Sequence, residues 1–69
     1  MRWGVETIVN EAARTVDLKV RQVGENEKDV HTPEYDLTSW NTFEEAEANR
    51  KQVREAWQGN AAYPYTVRG

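Results

Sequence analysis

The chain contains no cysteine, only one histidine, and only two prolines and four glycines among its 69 residues. The absence of cysteine excludes a disulfide framework, a thiolate zinc site and a thiol nucleophile. The sequence also lacks an apolar run long enough to cross a membrane, and its first residues lack the apolar core of a secretory signal peptide. These absences predict a cytoplasmic protein that is stabilised by packing alone.

Basic residues are fewer than acidic ones, nine against twelve, which gives a net charge of −3. That balance argues against a strongly basic nucleic-acid scaffold, although it leaves room for a local basic patch. A single domain of this size, residues 1–69, buries only about 60% of the surface that its unfolded chain exposes. Three tryptophans and three tyrosines nevertheless suffice for a thin packed core.

Residues 42–58 carry the strongest pattern in the chain, that of one amphipathic helix. Thr42 and Glu45 form a T-x-x-E capping box at its start, and Gly59 is predicted to end it in a left-handed cap. Its apolar stripe comprises Phe43, Ala46, Val53 and Trp57.

Residues 2–9 and 15–23 alternate between apolar and polar side chains, which predicts two strands joined as a hairpin. Pairing Asn10 with Thr15 places Glu6 opposite Lys19, a favourable cross-strand pair. A slip of two residues would place Glu6 opposite Asp17, so the first register is favoured.

Residues 30–38 are predicted to form a third strand beside the second, with Tyr35 opposite Leu18 and Leu37 opposite Val16. Pro33 cannot donate to a ladder, which confines this strand to a sheet edge or breaks it into a short piece. Residues 63–68 are predicted to form a last strand beside the first, parallel to a neighbour after the helix crossover.

The predicted fold class is therefore α+β, a two-layer domain with one amphipathic helix packed on a mostly antiparallel sheet of three or four strands. The predicted order across the sheet is last, first, second and third strand.

No constellation of catalytic residues is recognisable in the sequence. His31 is interpreted as an exposed histidine at a strand edge, because no nucleophile or orienting group accompanies it. The acidic residues at 25, 27, 29 and 36 imitate a calcium loop, but Val30 stands where that loop requires glycine. We therefore expect no enzymatic activity, no metal and no cofactor.

Five residues are predicted to contact a partner: Lys19, Arg21, Arg2, Trp40 and Arg50. Lys19 and Arg21 point to the sheet face without the helix, with Arg2 diagonal to Arg21. Trp40 precedes the helix, and Arg50 interrupts its apolar stripe. The favoured interpretation of Arg50 is that its methylenes cover the core edge while its guanidinium meets a carboxylate. The alternative interpretation places Arg50 in an interface.

Residues 40–68, with the run Trp-Asn-Thr-Phe-Glu-Glu-Ala at residues 40–46, resemble the closing half of small phage and mobile-element proteins. In those proteins a hairpin precedes an F-x-T-x-E-E-A helix start and a final strand. Here Phe43 follows Thr42 rather than preceding the threonine. The resemblance implies a non-catalytic accessory protein, like the anti-CRISPR proteins, that acts by occluding a host protein.

The leading functional prediction is a phage-type inhibitor or modulator that docks on a host protein in the host cytoplasm. The alternative is a nucleic-acid-binding accessory module that uses Lys19, Arg21 and Arg2. Self-association through an open sheet edge remains a further prediction, since a small core and an unpaired strand both invite a partner. No membrane partner is expected.

Overall fold

The computed structural model describes all 69 residues as one helix packed across a five-stranded mixed sheet. The predicted α+β architecture is confirmed, with more strands than expected. The elements in chain order are β1 (Arg2–Asn10), β2 (Thr15–Val23), β3 (Val30–His31), β4 (Tyr35–Trp40), α1 (Phe43–Gln58) and β5 (Thr66–Arg68). Strand β5 is parallel to β2, and the other neighbouring strands are antiparallel, in the order β3-β4-β1-β2-β5.

The β1–β2 hairpin has the predicted register along its whole length. Asn10 pairs with Thr15 and Glu6 pairs with Lys19. In the connecting turn, the Asn10 side chain accepts a hydrogen bond from the backbone N–H of Ala13 at 3.0 Å. Arg14 adopts the left-handed backbone conformation, with φ of 55°, which returns the chain into β2.

The predicted third strand is broken around Pro33 into a short edge strand and a longer strand, as the proline allowed, but its predicted neighbour is wrong. Residues 32–34 separate β3 from β4, and the Thr32 hydroxyl closes this break by bonding both the N–H and the carbonyl of Tyr35. Strand β4 pairs with β1 and not with β2, and it places Leu37 opposite Glu6. Leu37 therefore lies on the opposite sheet face from Leu18, because Leu18 pairs with the next residue of β1, Thr7.

The last strand is shorter than predicted and lies on the other side of the hairpin. Strand β5 contains only Thr66–Arg68 and pairs in parallel with β2. The predicted place beside β1 is taken by β4. Because β1 pairs with β2 at one edge and with β4 at the other, it has no free edge for β5. The expectation of a parallel neighbour is confirmed, whereas the predicted strand order is wrong.

Helix α1 starts as predicted and ends differently. The Thr42 hydroxyl accepts a hydrogen bond from the backbone N–H of Glu45 at 3.2 Å and donates to the Glu45 carboxylate at 3.0 Å. Gly59 has φ of −87° and ψ of 0°, so the predicted left-handed cap is wrong. The N–H of Gly59 still donates to the carbonyl of Glu55 at 2.9 Å, which continues the hydrogen-bond pattern of the α-helix by one residue.

The sheet buries side chains on both faces. The face under the helix, here called the helix face, carries most of the core, and α1 contributes Ala46 as its only fully buried residue. The opposite face, here called the loop face, buries Gly4, Val23 and Leu37. The face without the helix is therefore partly covered, while Lys19 and Ile8 on it remain exposed. On the helix face the buried residues of the sheet are Val5, Thr7, Val16 and Leu18.

No helix of the structure is long and apolar enough to cross a membrane.

Candidate binding site

The predicted basic group lies on the loop face, where Arg21 is held between two carboxylates. Its Nε donates to Glu6 at 3.1 Å, and its two terminal nitrogens donate to the two oxygens of Glu27 at 3.0 and 2.9 Å. The Tyr35 hydroxyl donates to the same Glu6 carboxylate at 2.6 Å. Arg21 is thus the centre of an ion-pair network that fastens residues 24–29 to the sheet.

The pKa values in this network move in the direction that strengthens the ion pairs. The hydrogen bond from Tyr35 lowers the pKa of Glu6 from its ordinary value, although partial burial opposes the shift. The Arg21 guanidinium, with a backbone N–H from Gly24, lowers the pKa of Glu27 to about 2. Hydrogen bonds to Glu27 and Tyr35 raise the pKa of Arg21 in return. Both carboxylates therefore stay charged at neutral pH, and Arg21 is neutralised within the molecule.

Arg2 is also used within the fold, and only Lys19 remains free. The Nε of Arg2 donates to the Ser39 hydroxyl at 3.0 Å, and its guanidinium pairs with Asp29 at 3.3 Å. Asp29 accepts the Ser39 hydroxyl at 2.7 Å, and this hydrogen bond lowers the pKa of Asp29. Lys19 is exposed and forms no ion pair. The predicted basic surface is reduced to one unpaired cation.

Arg50 matches the favoured interpretation of its place in the helix stripe. Its Nε donates to the Glu47 carboxylate at 2.8 Å, and a terminal nitrogen donates to the carbonyl of Gly69 at 2.7 Å. Its side chain is 18% exposed. The guanidinium meets a carboxylate as predicted, and a contact between Arg50 and a partner remains a prediction.

Trp40 lies at the end of β4, half-buried and paired with Trp3 of β1. The rings of Trp3 and Phe43 meet in a T-shaped contact at a centroid distance of 5.1 Å, so the start of α1 packs against Trp3. Phe43 itself is 43% exposed. Trp40 is therefore partly used in packing, and its contact with a partner also remains a prediction.

An aromatic cluster that was not predicted as a site lies at the other end of the helix. Trp57 and Tyr65 are stacked at 6.2 Å between ring centroids, with 17° between their planes. Tyr63 stands nearly perpendicular to both, at 6.3 Å from Trp57 and 6.0 Å from Tyr65. Tyr63 is 51% exposed. Three large aromatic side chains thus lie together at the C-terminal end of α1, where no residue is fully buried.

The turn after α1 brings these rings together. The carbonyl of Asn60 accepts the N–H of Tyr63 at 3.2 Å, and the carbonyl of Tyr63 accepts the N–H of Tyr65 at 2.7 Å. Thr66 then bonds the carbonyl of Arg14 at 2.9 Å, which fixes the turn to the hairpin. Because this segment is a turn and not the predicted strand, Tyr63 and Tyr65 meet Trp57 at the helix end. The available signal was the pair of tyrosines flanking Pro64, a short segment after Trp57 in the last turn of α1.

The cluster borders a cleft of about 200 Å3, here called the aromatic cleft. A second cleft of about 240 Å3, here called the companion cleft, shares Val9, Pro33 and Trp57 with it. Neither lining contains a lysine or an arginine. The aromatic cleft is lined by Val9, Glu11, Pro33, Trp57, Tyr63 and Tyr65, and the companion cleft by Thr7, Val9, Thr32, Pro33, Asp36, Val53 and Trp57.

His31 is exposed, as predicted, and pairs with Asp36 through Nδ1 at 2.6 Å. This hydrogen bond raises the pKa of His31 above its ordinary value. Two residues of the supposed calcium loop, Glu27 and Asp29, are bonded to arginines instead. No group of three or more histidine, aspartate or glutamate side chains is close enough to hold a metal ion.

No protein-family model, curated protein or solved structure matches the chain.

Proposed function

We propose that the protein is a non-catalytic binding domain that docks on another protein through the aromatic cleft. The observation that carries the proposal is the cluster of Trp57, Tyr63 and Tyr65, in which Tyr63 is exposed and the other two rings are half-buried. Tryptophan and tyrosine are enriched at protein–protein contacts, because they bury a large apolar area and keep one polar group for hydrogen bonding. Tyr63 in particular has half of its surface free for such a contact.

The charge around the two clefts indicates what kind of partner surface fits them. Glu11 and Asp36 contribute the only charged side chains to the linings. The chain as a whole carries a net charge of −3. A partner surface that combines apolar and basic groups would be complementary, and electrostatic attraction of this kind acts mainly on the association rate.

The narrower function, a phage-type inhibitor or modulator of a host protein in the host cytoplasm, rests on the sequence resemblance alone. In such a protein the aromatic cleft would supply the anchor, and the body of the domain would occlude the host protein's own binding surface. The identity of the captured partner tests this part of the proposal.

Nucleic-acid binding remains the alternative, and the charge distribution weighs against it. Such binding depends on several lysine or arginine contacts to phosphates. Arg21 and Arg2 are already paired with carboxylates, which leaves Lys19 as the free cation of the predicted group. The aromatic rings could stack on bases, but no cation lines their cleft.

The experiment is affinity capture from a bacterial lysate, with and without nuclease, followed by binding measurements on the purified captured protein. Tyr63→Ala removes the most exposed ring, and Phe43→Ala is the matched control because Phe43 is similarly exposed at the far end of α1. The proposal expects nuclease-resistant capture that Tyr63→Ala abolishes and Phe43→Ala preserves. Capture that nuclease abolishes, or that both variants retain, would contradict it.

A further inference from the structure

We propose that the aromatic cleft binds the methylated ammonium group of a lysine side chain carried by the partner protein. This inference deepens the proposed function and depends on it for the partner's place at the cleft. Three observations carry it: the arrangement of the rings, the charge of the lining, and the continuity of the two clefts.

Trp57 and Tyr65 are stacked, and Tyr63 stands nearly perpendicular to both rings. The planes of Trp57 and Tyr65 differ by 17°, whereas Tyr63 is turned by 71° and 86° from them. All three centroid separations lie between 6.0 and 6.3 Å, so the rings pack on one another and together line one side of the cleft. A cation in the cleft that contacts Tyr63 and one of the other two rings lies within the distance of about 6 Å over which a ring attracts a cation. Cages of aromatic rings are the usual protein site for quaternary and methylated ammonium groups.

The lining supplies one negative charge and no positive charge. Glu11 borders the cleft together with the three rings, and it forms no ion pair with the rest of the chain. Glu11 is exposed, so its carboxylate is available to a ligand. A cation is the charge type that such a lining complements, and an anion would face Glu11 without a counter-charge.

Methylation suits this cleft better than an unmodified lysine. A plain ammonium is compact and strongly hydrated, and it would have to give up hydrogen bonds to water in order to enter the cleft. The remaining lining, Val9 and Pro33, is apolar and offers few replacements for those hydrogen bonds. Methyl groups remove the ammonium's hydrogen-bond donors, keep the positive charge and add apolar surface that the rings can cover.

The companion cleft favours a peptide as the carrier of the ammonium group. It continues from the aromatic cleft across Val9, Pro33 and Trp57 towards Val53 of α1. A free amine would fill only the aromatic cleft, whereas an extended peptide could place a neighbouring apolar side chain in the companion cleft. The two clefts together therefore match a methylated lysine within a chain.

The test titrates the purified protein with four probes and follows binding by NMR chemical shifts. The probes are a short alanine-based peptide containing Nε-trimethyllysine, the same peptide with lysine, the same peptide with an uncharged tert-butyl isostere of trimethyllysine, and tetramethylammonium chloride. The trimethyllysine peptide is expected to bind roughly tenfold more tightly than the uncharged isostere, because only the charged group gains ring and carboxylate attraction. Equal affinity of these two peptides would overturn the proposal, as would equal binding of tetramethylammonium.

Two variants locate the site. Tyr63→Leu is expected to lower the affinity for the trimethyllysine peptide roughly tenfold, whereas the control Phe43→Leu leaves it unchanged. Glu11→Gln is expected to lower it a few-fold. Loss of binding in Phe43→Leu would place the site elsewhere and overturn the proposal.

Failure of this inference is distinguishable from failure of the proposed function. If the charged and uncharged peptides bind equally but Tyr63→Ala still abolishes partner capture, the docking proposal stands and the ammonium proposal falls. If the trimethyllysine peptide binds at Tyr63 but partner capture survives Tyr63→Ala, the cleft is a cation site and the docking proposal falls.

Discussion

Gly4 lies in the middle of the sheet, where β1 is flanked by β2 and β4. A Cβ atom at this position would lie 2.7 Å from Val23 Cγ2 and 2.9 Å from Leu37 Cδ1. Both neighbours are almost fully buried on the loop face. Glycine is therefore required at this position because the side chains of Val23 and Leu37 occupy the space that a Cβ atom would need.

The substitution Gly4→Ala is expected to lower the free energy of unfolding by about 1–3 kcal/mol, because the added methyl overpacks this cluster. The measurement is the urea denaturation midpoint of the purified variant. Gly24→Ala is the control, since a Cβ there would meet its nearest neighbour at an ordinary 3.5 Å. Equal midpoints for the two variants would show that the loop face is loosely packed.

The pairing of Arg21 with Glu27 makes stability depend on pH in the acidic range. Glu27 has a folded pKa of about 2, below its ordinary value of 4.5. A carboxylate whose pKa is lowered by folding stabilises the protein above its unfolded pKa, and this contribution is lost as the pH falls towards the folded pKa. The ion pair therefore contributes fully above about pH 4.5 and weakens between about pH 4.5 and pH 2.

Glu27→Gln is expected to flatten the fall of the urea midpoint between pH 4.5 and pH 2. Glu25→Gln, a change in the same segment at a carboxylate without an ion pair, is the control. Identical pH profiles for wild type and Glu27→Gln would show that residues 24–29 are not held by Arg21.

At the scale of single elements, the start of α1 is fixed by one side chain. The Thr42 hydroxyl satisfies the N–H of Glu45, which would otherwise lack a partner within the helix. Thr42→Ala is expected to cost about 1 kcal/mol of stability, and Thr42→Ser is expected to restore most of it. An unchanged urea midpoint in Thr42→Ala would mean that the helix starts at another residue.

The hairpin and the helix could be predicted because their signals are local in sequence. The favourable placing of Glu6 opposite Lys19 predicted the β1–β2 register, although in the structure Glu6 forms its ion pair with Arg21. Thr42 with Glu45 marks the helix start. The place of β4 could not be predicted, because β1 and β2 both offer a free edge to a strand with the pattern of residues 35–40. Tertiary pairing with β1 then decides which face Leu37 occupies.

The residues of the proposed binding surface were harder to predict than the fold. Alternation correctly indicated that Arg21 and Arg2 lie away from the helix, but it could not show that residues 24–29 return with carboxylates to pair with them. Tyr63 and Tyr65 were interpreted as strand residues because they alternate. Their contact with Trp57 depends on the turn at Asn60. In this turn the Asn60 carbonyl accepts the N–H of Tyr63 and the Asn60 side chain accepts the N–H of Ala62, and the alternation of residues 63–68 does not reveal these bonds.

At the scale of the whole molecule, the core is thin and divided between the two faces of the sheet. Only eight of the 69 residues are fully buried, and α1 supplies only one of them. The helix stripe is partly exposed, with Trp57 half-buried. We therefore expect stability to be concentrated in the sheet.

Leu37→Ala is expected to cost about 2–5 kcal/mol, since Leu37 is 2% exposed on the loop face. Trp57→Ala is expected to cost less than the roughly 3–5 kcal/mol typical of a fully buried aromatic side chain, because its ring is partly in solvent. Thermal and urea unfolding of both variants give the comparison. A larger loss in Trp57→Ala would show that the helix layer dominates stability.

The decisive measurement is the equilibrium affinity of the purified captured partner for Tyr63→Ala and for Lys19→Glu, at low and high salt. Both changes are at exposed positions, one at the aromatic cleft and one on the loop face. Tyr63→Ala is expected to weaken binding by about tenfold or more at both salt concentrations, as at an interface hot spot. Lys19→Glu is expected to leave the affinity within about twofold. A large, salt-dependent loss in Lys19→Glu with little effect of Tyr63→Ala would contradict docking through the aromatic cleft.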